Sequence, residues 1–407
     1  MALLVQKYGG SSVANADRLR NVARRVAKTR AAGNDVVVVV SAMGDTTDDL
    51  IALAQQVTEQ PDPREMDVLL STGETISVSL LSMALHSLGV DAMSFSGAQA
   101  GIRTESMFSR ARILSIDPSR LRQALDAGKV AIVAGFQGIT EDQDITTLGR
   151  GGSDTTAVAL ACALKASECQ IYTDVMGVFT ADPRVAPDAR KLKDIHYDEM
   201  LEMASLGAKV MHPRAVELGA VFDMPILVAS SFTDEEGTLI HGGASMEVRN
   251  KVRGIAHDRD VAKITLIGVP DRPGVAASIF APLAAAGLSV DTIVQNASAS
   301  KIADLTFTVS KGDLAKAMAL IQPVAKELGA EECLSDGNLG KVSIVGTGIQ
   351  NAPGYAARMF ETLHNEGINI EMITTSEIRI TCVIAEDKVQ DAVRALHRAF
   401  ELEKPEG

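Results

Sequence analysis

The chain has 407 residues; 46% are hydrophobic and 3% aromatic, so its cores must be aliphatic, and its length suggests roughly three domains. Its 52 acidic and 39 basic residues give a net charge of −13, which disfavours nucleic acid or an anionic membrane as a main partner. The four cysteines show no CxxC or zinc spacing, and no apolar run approaches the ~20 residues of a membrane-spanning helix or forms a signal-peptide core, so a cytoplasmic protein is predicted.

The chain alternates strand and helix patterns up to about residue 240. The run VVVVV at 36–40 is typical of a strand that is buried on both faces. Repeated βα units predict a mostly parallel sheet with helices on both faces, whose ligand lies beyond the carboxyl ends of the strands. Strands are predicted at 3–6, 36–41, 92–95, 130–134, 170–173 and 226–229, and helices at stretches such as 15–32 and 74–88.

The first strand runs into a glycine turn, KYGGSS, which begins at Lys7. It is neither a Walker A loop nor a Rossmann fingerprint, because both of those glycine patterns are absent. A lysine placed here suits phosphates that lie over Gly9 and Gly10. The alternative is an ordinary turn with a solvated lysine.

A second glycine turn, TTLGRGGSDTTA at 146–157, precedes a helical pattern. Backbone N–H groups and the helix dipole make such a turn an anion site, and Arg150 adds a planar fork for a carboxylate or phosphate. Ser153 or Asp154 is predicted to cap the helix. Four polar turns that follow strands are expected to converge on one crevice: KYGGSS, SAMGDTTD, GFQG…GRGGSD and YTDVMGVFTADPR.

The pattern changes after a polar, glycine-rich linker at 241–251. Two similar segments follow, from Lys263 and from Lys341, and each predicts a βαββα unit with a Pro-Gly loop before its first helix. Residues 252–257 are a further strand candidate, which could belong with the second unit. Two such small units are expected to pair.

Together, KYGGSS, SAMGDTTD, STGE, TTLGRGGSDTT, YTDVMGVFTADPR and GAKVMHPRAVE resemble the aspartate kinases of the amino-acid-kinase family, and the repeat resembles two ACT modules. The resemblance implies an α/β, three-layer αβα kinase fold at 1–245, with ferredoxin-like ACT modules at 263–335 and 341–403. It implies transfer of a phosphoryl group from ATP to the β-carboxylate of L-aspartate, giving 4-phospho-L-aspartate. This is the first step towards lysine, threonine and methionine, and feedback by lysine, threonine or both is expected.

The resemblance also implies roles for individual residues. Lys7 would contact the phosphates and Asp154 would orient it, although a simple helix cap is the alternative for Asp154. Glu74 would pair with the substrate ammonium; its alternative is an acid in the first turn of a helix. Magnesium is expected to arrive with ATP, held mainly by phosphates and water. The implied substrate residues are Thr47, Glu74, Arg150 and Ser153, and the implied nucleotide residues are Lys7, Tyr8, Gly9, Gly10, Thr173, Asp174, Phe179, Asp182, Arg184 and Lys209.

Effectors are expected where one ACT module meets another, in a homo-oligomer. A short regulatory chain starting at Met246 is a further possibility, beside an ordinary linker methionine. Two other functions stay open: a kinase of the same family that acts on acetylglutamate, glutamate or UMP, and an amino-acid sensor with an inactive kinase half. The implied effector contacts are Asp271, Gly274, Val275, Gln295, Asn296, Asn351, Gly354, Asn369, Ile370, Ser376 and Glu377.

Overall fold

The computed structural model describes residues 2–208, 210–243, 252–297, 302–349 and 353–405. It forms two compact units that do not follow chain order. The first comprises Met1–Phe179, Lys191–Ser205 and Lys209–Glu247, and the second comprises Thr180–Arg190, Leu206–Ala208 and Val248–Gly407. The predicted kinase domain, 1–245, therefore differs from the first unit by two short segments that cluster with the second.

The first unit alternates strands and helices. Its strands are β1 (Leu3–Tyr8), β2 (Asp35–Val40), β3 (Ala92–Phe95), β4 (Ile102–Thr104), β5 (Ile113–Ile116), β6 (Val130–Ala134), β7 (Gln137–Ile139), β8 (Ile145–Thr147), β9 (Glu168–Thr173), β10 (Asp194–His196), β11 (Ile226–Ser230) and β12 (Thr238–His241). Its helices are α1 (Ala16–Ala31), α2 (Thr46–Val57), α3 (Pro63–Ser87), α4 (Ser119–Asp126), α5 (Gly152–Leu164), α6 (Tyr197–Ser205) and α7 (Pro213–Phe222).

Among the described residues, the main sheet has the strand order β10-β12-β11-β9-β1-β2-β6-β3, and every pair in it is parallel except β11 with β12. One face packs on α1 and α3, and α5 packs against β1, β2 and β9. All five valines of β2 are buried, as the apolar run predicts. The predicted α/β class with a mostly parallel, three-layer kinase fold is confirmed.

Helix α3 begins earlier than predicted. Asp62 accepts hydrogen bonds from the N–H groups of Arg64 and Glu65, and Pro63 occupies the first turn, so the helix starts there and not at Glu74. Its length and apolar composition would also suit a membrane span, which the sequence did not predict. Half of that apolar window is buried in the unit, as in the core helix of a globular protein.

The second unit has one sheet that runs through both of the predicted ACT modules. Within the described residues its strand order is β14-β15-β13-β16-β18-β17. We call the part around α8 and α9 module one and the part around α10 and α11 module two. The elements are β13 (Gly254–Pro270), α8 (Val275–Ala285), β14 (Ile293–Ala297), β15 (Ile302–Val309), α9 (Leu314–Leu328), β16 (Glu332–Val345), α10 (Tyr355–Asn365), β17 (Met372–Thr375), β18 (Arg379–Ala385) and α11 (Val389–Ala399).

The two modules share their long central strands. The start of β13, residues 254–258, pairs with residues 341–345 of β16 and completes module two. Residues 332–336 of β16 pair with 263–267 of β13 and complete module one. Each predicted βαββα repeat is therefore extended by one strand. The strand candidate at 252–257 corresponds to the start of β13, residues 254–258, and belongs with the second repeat, which is module two.

The segment Thr180–Arg190 is part of the core of module two. Ala181, Val185 and Ala186 cluster with Val342, Ile344, Leu396 and other buried residues of that module. Thr180 also shares a hydrogen bond of 2.9 Å with the Nε2 atom of buried His397, and its carbonyl accepts from the N–H of Ile255. This segment thus packs as an additional piece of the second unit.

Candidate active site

A cleft of about 310 Å³ lies at the carboxyl edge of the main sheet in the first unit. Three of the four polar turns that were predicted to converge do meet there; the turn from Tyr172 to Arg184 does not line it. Its lining residues are Lys7, Gly9, Gly10, Ser41, Ala42, Gly44, Thr47, Glu74, Phe136, Arg150, Gly151, Gly152, Ser153 and Asp154.

The cation of the cleft is Lys7, near the end of β1. Its Nζ atom lies 2.6 Å from Oδ1 of Asp154, and both side chains are close to nine-tenths buried. Two elements that are far apart in sequence, β1 and α5, therefore bring one ion pair to the sheet edge. An ammonium group held in this way is aimed at the space over the glycine turn, where an anionic ligand would lie.

Two glycines permit the close packing of the cleft. A Cβ atom on Gly10 would lie 2.9 Å from the carbonyl oxygen of Ala42, so only glycine lets the first turn approach the end of β2. Gly151 has φ +71° and forms the N-cap of α5. The prediction that Ser153 or Asp154 caps this helix is wrong, because both lie inside its first turn, where the Asp154 side chain pairs with Lys7.

Glu74 is buried in the middle of α3, so the alternative of a first-turn acid is wrong. Its Oε1 atom accepts a hydrogen bond of 3.1 Å from the N–H of Ala42, while Oε2 is buried and accepts none from the described residues. Burial raises the pKa of this carboxyl to about 7, although the Ala42 N–H opposes the shift. The Oε2 atom of Glu74 can therefore accept a hydrogen bond from a cationic group that binds in the cleft.

The remaining substrate candidates also line the cleft. Arg150 is exposed and makes no hydrogen bond or ion pair with any described residue. Thr47 lies in the first turn of α2, and Ser153 in the first turn of α5. The positive ends of two helix dipoles therefore face the cleft beside a free guanidinium group, an arrangement that suits an anion with more than one acidic group.

The predicted nucleotide residues are more dispersed. The Tyr8 side chain is wholly buried and stacks on Tyr172 at 5.0 Å, so only its backbone is near the cleft. The N–H of Gly9 donates to the Tyr172 carbonyl, which leaves the Gly10 amide as the candidate donor of this turn. Thr173 ends β9 and donates a hydrogen bond to the neighbouring Asp174.

Three further nucleotide candidates follow in the same turn. Phe179 is half-buried and forms a β-bridge with Lys191 in the first unit. Asp182 and Arg184 belong to the second unit, where the guanidinium donates to both carboxylate oxygens and keeps the pKa of Asp182 below its usual value. Lys209 lies outside the described residues.

Some residues around the site were not predicted. The ring of His212 packs where a Cβ of Gly151 would lie, and the guanidinium of Arg214 donates to the carbonyls of Leu148 and Ala111. Burial lowers the pKa of His212, which favours the neutral ring that caps α7. Both residues stand in the motif GAKVMHPRAVE, so the signal was present without a role attached. A buried carboxylate on α3, Asp67, gave no signal.

The predicted effector residues lie in two sets on the second unit. Gly274 and Gly354 precede α8 and α10 with positive φ. Module one also contributes exposed Asp271, core Val275 and exposed Gln295 and Asn296 on edge strand β14. Module two contributes Asn369, which donates to Glu371, half-buried Ile370, and Ser376 and Glu377 after β17. Asn351 and Met246 lie outside the described residues.

The two modules also make side-chain contacts with each other. Val294 of β14 packs against Leu339, Met372 and Val383 of module two. The buried ammonium group of Lys341 pairs with Asp291 and donates to Thr308. The predicted effector residues of the two modules are thus carried by one connected unit.

Comparison with known proteins finds matches for both parts of the chain. The amino acid kinase family matches residues 2–230, and the ACT domain matches residues 263–325 and 342–400. An aspartokinase of Pseudomonas aeruginosa is 54% identical over 407 residues, which cover 100% of this chain and 99% of the relative. An aspartokinase of Corynebacterium glutamicum is 50% identical over 409 residues, which cover 99% and 97%.

Two solved structures of E. coli aspartokinase III resemble the whole chain. The complex with aspartate and ADP (R-state) has a TM-score of 0.82 at 28% identity, covering 98% of this chain and 99% of that chain. The complex with lysine and aspartate (T-state) has a TM-score of 0.74 at the same identity and coverage. With full-length relatives at half identity or more and both kinds of domain in place, the chain belongs to the aspartokinases of the amino acid kinase family.

Proposed function

We propose that the chain transfers the γ-phosphoryl group of ATP to the β-carboxylate of L-aspartate, giving 4-phospho-L-aspartate and ADP. The observation that carries the proposal is the cleft of the first unit. It combines the Lys7–Asp154 ion pair, an unpaired oxygen of buried Glu74 and the free guanidinium of Arg150. Such a set can bind an ammonium group, a carboxylate and a phosphate group side by side.

Each ionic group of aspartate has a proposed partner. The Oε2 atom of Glu74 accepts from the α-ammonium group, which supplies the cation that its buried carboxylate lacks. Arg150 binds a substrate carboxylate through two parallel hydrogen bonds. Thr47 and Ser153 add hydroxyl groups at the starts of α2 and α5. Together they would fix the β-carboxylate next to the phosphoryl group.

The proposed chemistry needs little beyond placement and charge. The β-carboxylate is already ionised near neutral pH, so no general base is required. As its oxygen bonds to the γ-phosphorus, the bond from that phosphorus to the bridging oxygen breaks, and the electron pair leaves with ADP. Lys7, oriented by Asp154, and the Gly10 N–H stabilise the charge on the transferred group.

The nucleotide would lie between Lys7 and the end of β9. Thr173, Asp174 and Phe179 are proposed contacts from the first unit, and Asp182, Arg184 and Lys209 remain proposals from the resemblance. Within the described residues, no group of three or more His, Cys, Asp or Glu could hold a metal ion. Magnesium tends to keep several of its waters, so we propose that it binds ATP mainly through phosphate oxygens and water, where it would neutralise phosphate charge.

We propose that the second unit regulates the first. The solved T-state of E. coli aspartokinase III contains lysine. For this chain, lysine, threonine or both are proposed to bind the ACT modules and shift a two-state equilibrium of the enzyme. We also propose a homo-oligomer through those modules, a cytoplasmic location, and a place at the start of lysine, threonine and methionine synthesis.

The test is ATP-dependent formation of an acyl hydroxamate in the presence of hydroxylamine and Mg²⁺. L-aspartate is compared with L-glutamate and N-acetyl-L-glutamate in this assay, each with and without lysine plus threonine. UMP has no carboxyl group that could form a hydroxamate, so its phosphorylation is followed by the release of ADP. Of these substrates, we expect only aspartate to be turned over, and we expect lysine plus threonine to suppress that turnover. Turnover with another substrate would replace the proposal by a related kinase, and none at all would favour an amino-acid sensor.

A further inference from the structure

Asp67 is a buried carboxylate that none of the proposed chemistry uses. It lies near the start of α3 and is fully buried. Its two oxygens accept from the N–H of Ser109 at 3.0 and 2.9 Å, from the N–H of Thr147 at 2.8 Å and from the Thr147 hydroxyl at 2.7 Å. A carboxylate so fully satisfied holds its donors in one geometry.

Two of these three donors, the N–H and the hydroxyl of Thr147, lie at the base of the loop that carries Arg150, and the third is in the turn between β4 and β5. Thr147 ends β8, and its carbonyl accepts from the N–H of Ala111. The next residue, Leu148, is fixed by the carbonyl of Phe136 and by Arg214. Every backbone hydrogen-bonding group from Thr147 to Leu148 is therefore engaged, immediately before the chain enters the glycine turn.

Asp67 also shares its helix with Glu74. Seven residues are close to two turns, so the two acids lie on the same side of α3, and both are buried. Glu74 faces the cleft directly, whereas Asp67 reaches it through Thr147 and the turn that holds Arg150. Helix α3 thus carries Glu74 itself and, through Asp67 and Thr147, supports the turn that holds Arg150.

We propose that Asp67 is a positioning residue that fixes the separation of Arg150 and Glu74, and so sets which amino dicarboxylate fits between them. The inference rests on the proposed aspartate kinase activity. Without the carboxylate, the N–H and the hydroxyl of buried Thr147 would lose their acceptor, and the loop would shift to find new partners. A longer substrate such as glutamate would then be excluded less well.

The experiment compares steady-state constants of Asp67→Ala, Asp67→Asn and Thr147→Val with those of the wild type. We expect Asp67→Ala to raise KM for aspartate about 100-fold and to leave KM for ATP unchanged. The ratio of kcat/KM for aspartate to kcat/KM for glutamate should also become smaller. Asp67→Asn should restore aspartate binding in part. Its oxygen can accept both N–H groups and its NH₂ can donate to the Thr147 hydroxyl, but that NH₂ would also lie 3.0 Å from the Ser109 nitrogen, which is a donor too. Thr147→Val should raise KM for aspartate about fivefold.

The matched control is Thr104→Val. It breaks a buried hydroxyl pair of 2.6 Å between Thr104 and Thr146 in the same small sheet, without touching Asp67. It should lower stability and leave KM for aspartate unchanged. If Asp67→Ala does not fold, Thr147→Val decides, and a wild-type KM for that variant overturns the proposal. An inactive wild type would instead overturn the kinase proposal itself.

Discussion

A glycine with positive φ precedes the first turn of one helix in the first unit and of two helices in the second. Gly151, Gly274 and Gly354 all have positive φ and form the N-caps of α5, α8 and α10. Around Gly151 the space is full, since a Cβ atom there would lie 2.3 Å from the His212 ring. Around Gly274 and Gly354, a Cβ would meet no atom of the described residues within 4 Å, apart from the glycine's own neighbours in the chain.

This difference separates a preformed site from an open surface. The turn at Gly151 lies in a cleft with three buried ionisable groups, Lys7, Glu74 and Asp154. The turn at Gly274 has exposed neighbours, such as Asp271, in the part of the chain that the structure describes. A glycine-led helix N-terminus therefore identifies an anion-binding candidate, and the buried charges around Gly151 distinguish the candidate active site from the two turns of the second unit.

The largest expected effect is that of Lys7→Ala. Removal of the ammonium that pairs with Asp154 should lower kcat roughly 10²–10³-fold, because the charge on the transferred phosphoryl group loses a fixed partner. The control is Lys263→Ala, which removes a lysine paired with Glu371 at 2.9 Å in the second unit. Hydroxamate assays should show normal turnover for the control; an unchanged kcat in Lys7→Ala would contradict the assignment.

Alanine substitutions at the capping glycines test the comparison itself. Gly151→Ala and Gly354→Ala each add left-handed strain of about 1–2 kcal/mol. Gly151→Ala must in addition displace the His212 ring, so we expect kcat/KM for aspartate to fall at least about tenfold, whereas Gly354→Ala keeps it. Thermal melting measures the strain in both. Equal losses of activity would mean that cap strain alone matters.

The raised pKa of Glu74 predicts a pH dependence of substrate binding. With a pKa of about 7, this carboxyl is largely protonated at pH 6 and ionised at pH 8, so KM for aspartate should fall about tenfold over that range. Glu74→Gln should show a higher KM without this dependence. Glu371→Gln, which alters a carboxylate of the second unit, is the control and should keep the wild-type profile.

The same group predicts a stability trend. The unfolded chain releases the Glu74 proton near pH 4.5 and the folded chain near 7, so the stabilisation is full below the first value and is lost as the pH rises through the second. The change is on the order of 3 kcal/mol. Chemical denaturation gives the free energy of unfolding at pH 5 and at pH 8. The difference between these two values should be smaller for Glu74→Gln than for the wild type, and equal differences would contradict the raised pKa of Glu74.

The smallest effect is expected in the second unit, for Thr180→Val. This change leaves the N–H of Arg190 and the Nε2 atom of His397 without their shared partner, which costs about 1–3 kcal/mol of stability. Turnover at saturating substrates should stay normal. Thr362→Val removes an exposed hydroxyl of α10 and serves as the control in the same denaturation experiment. Equal stability of the two variants would argue against the buried pair.

Local patterns predicted the parts of the molecule that local physics determines. The apolar runs gave most of the parallel strands with small shifts at their ends, and the two glycine turns marked the cleft. The start of α3 was misplaced because Gly73 suggests a turn. In the structure Gly73 lies within the helix, where a Cβ would come within 2.7 Å of the Ala42 Cβ.

Long-range pairing accounts for what was missed. Asp67 meets Thr147 across 80 residues, and Thr180 meets His397 across 217, and neither contact leaves a periodic signal in the sequence. The exchange of strand halves between the modules has the same origin, because β13 pairs with two parts of β16. Such contacts follow from the packing of whole elements, which one sequence does not display.

The most direct test of a catalytic cleft within the first unit is hydroxamate formation from aspartate by three proteins side by side: the wild type, Arg150→Ala and Gly354→Ala. We expect equal kcat/KM for the wild type and Gly354→Ala, and a loss of about 100-fold in Arg150→Ala, because two charge-assisted hydrogen bonds to the substrate disappear. Wild-type kinetics in Arg150→Ala would contradict the proposed aspartate site.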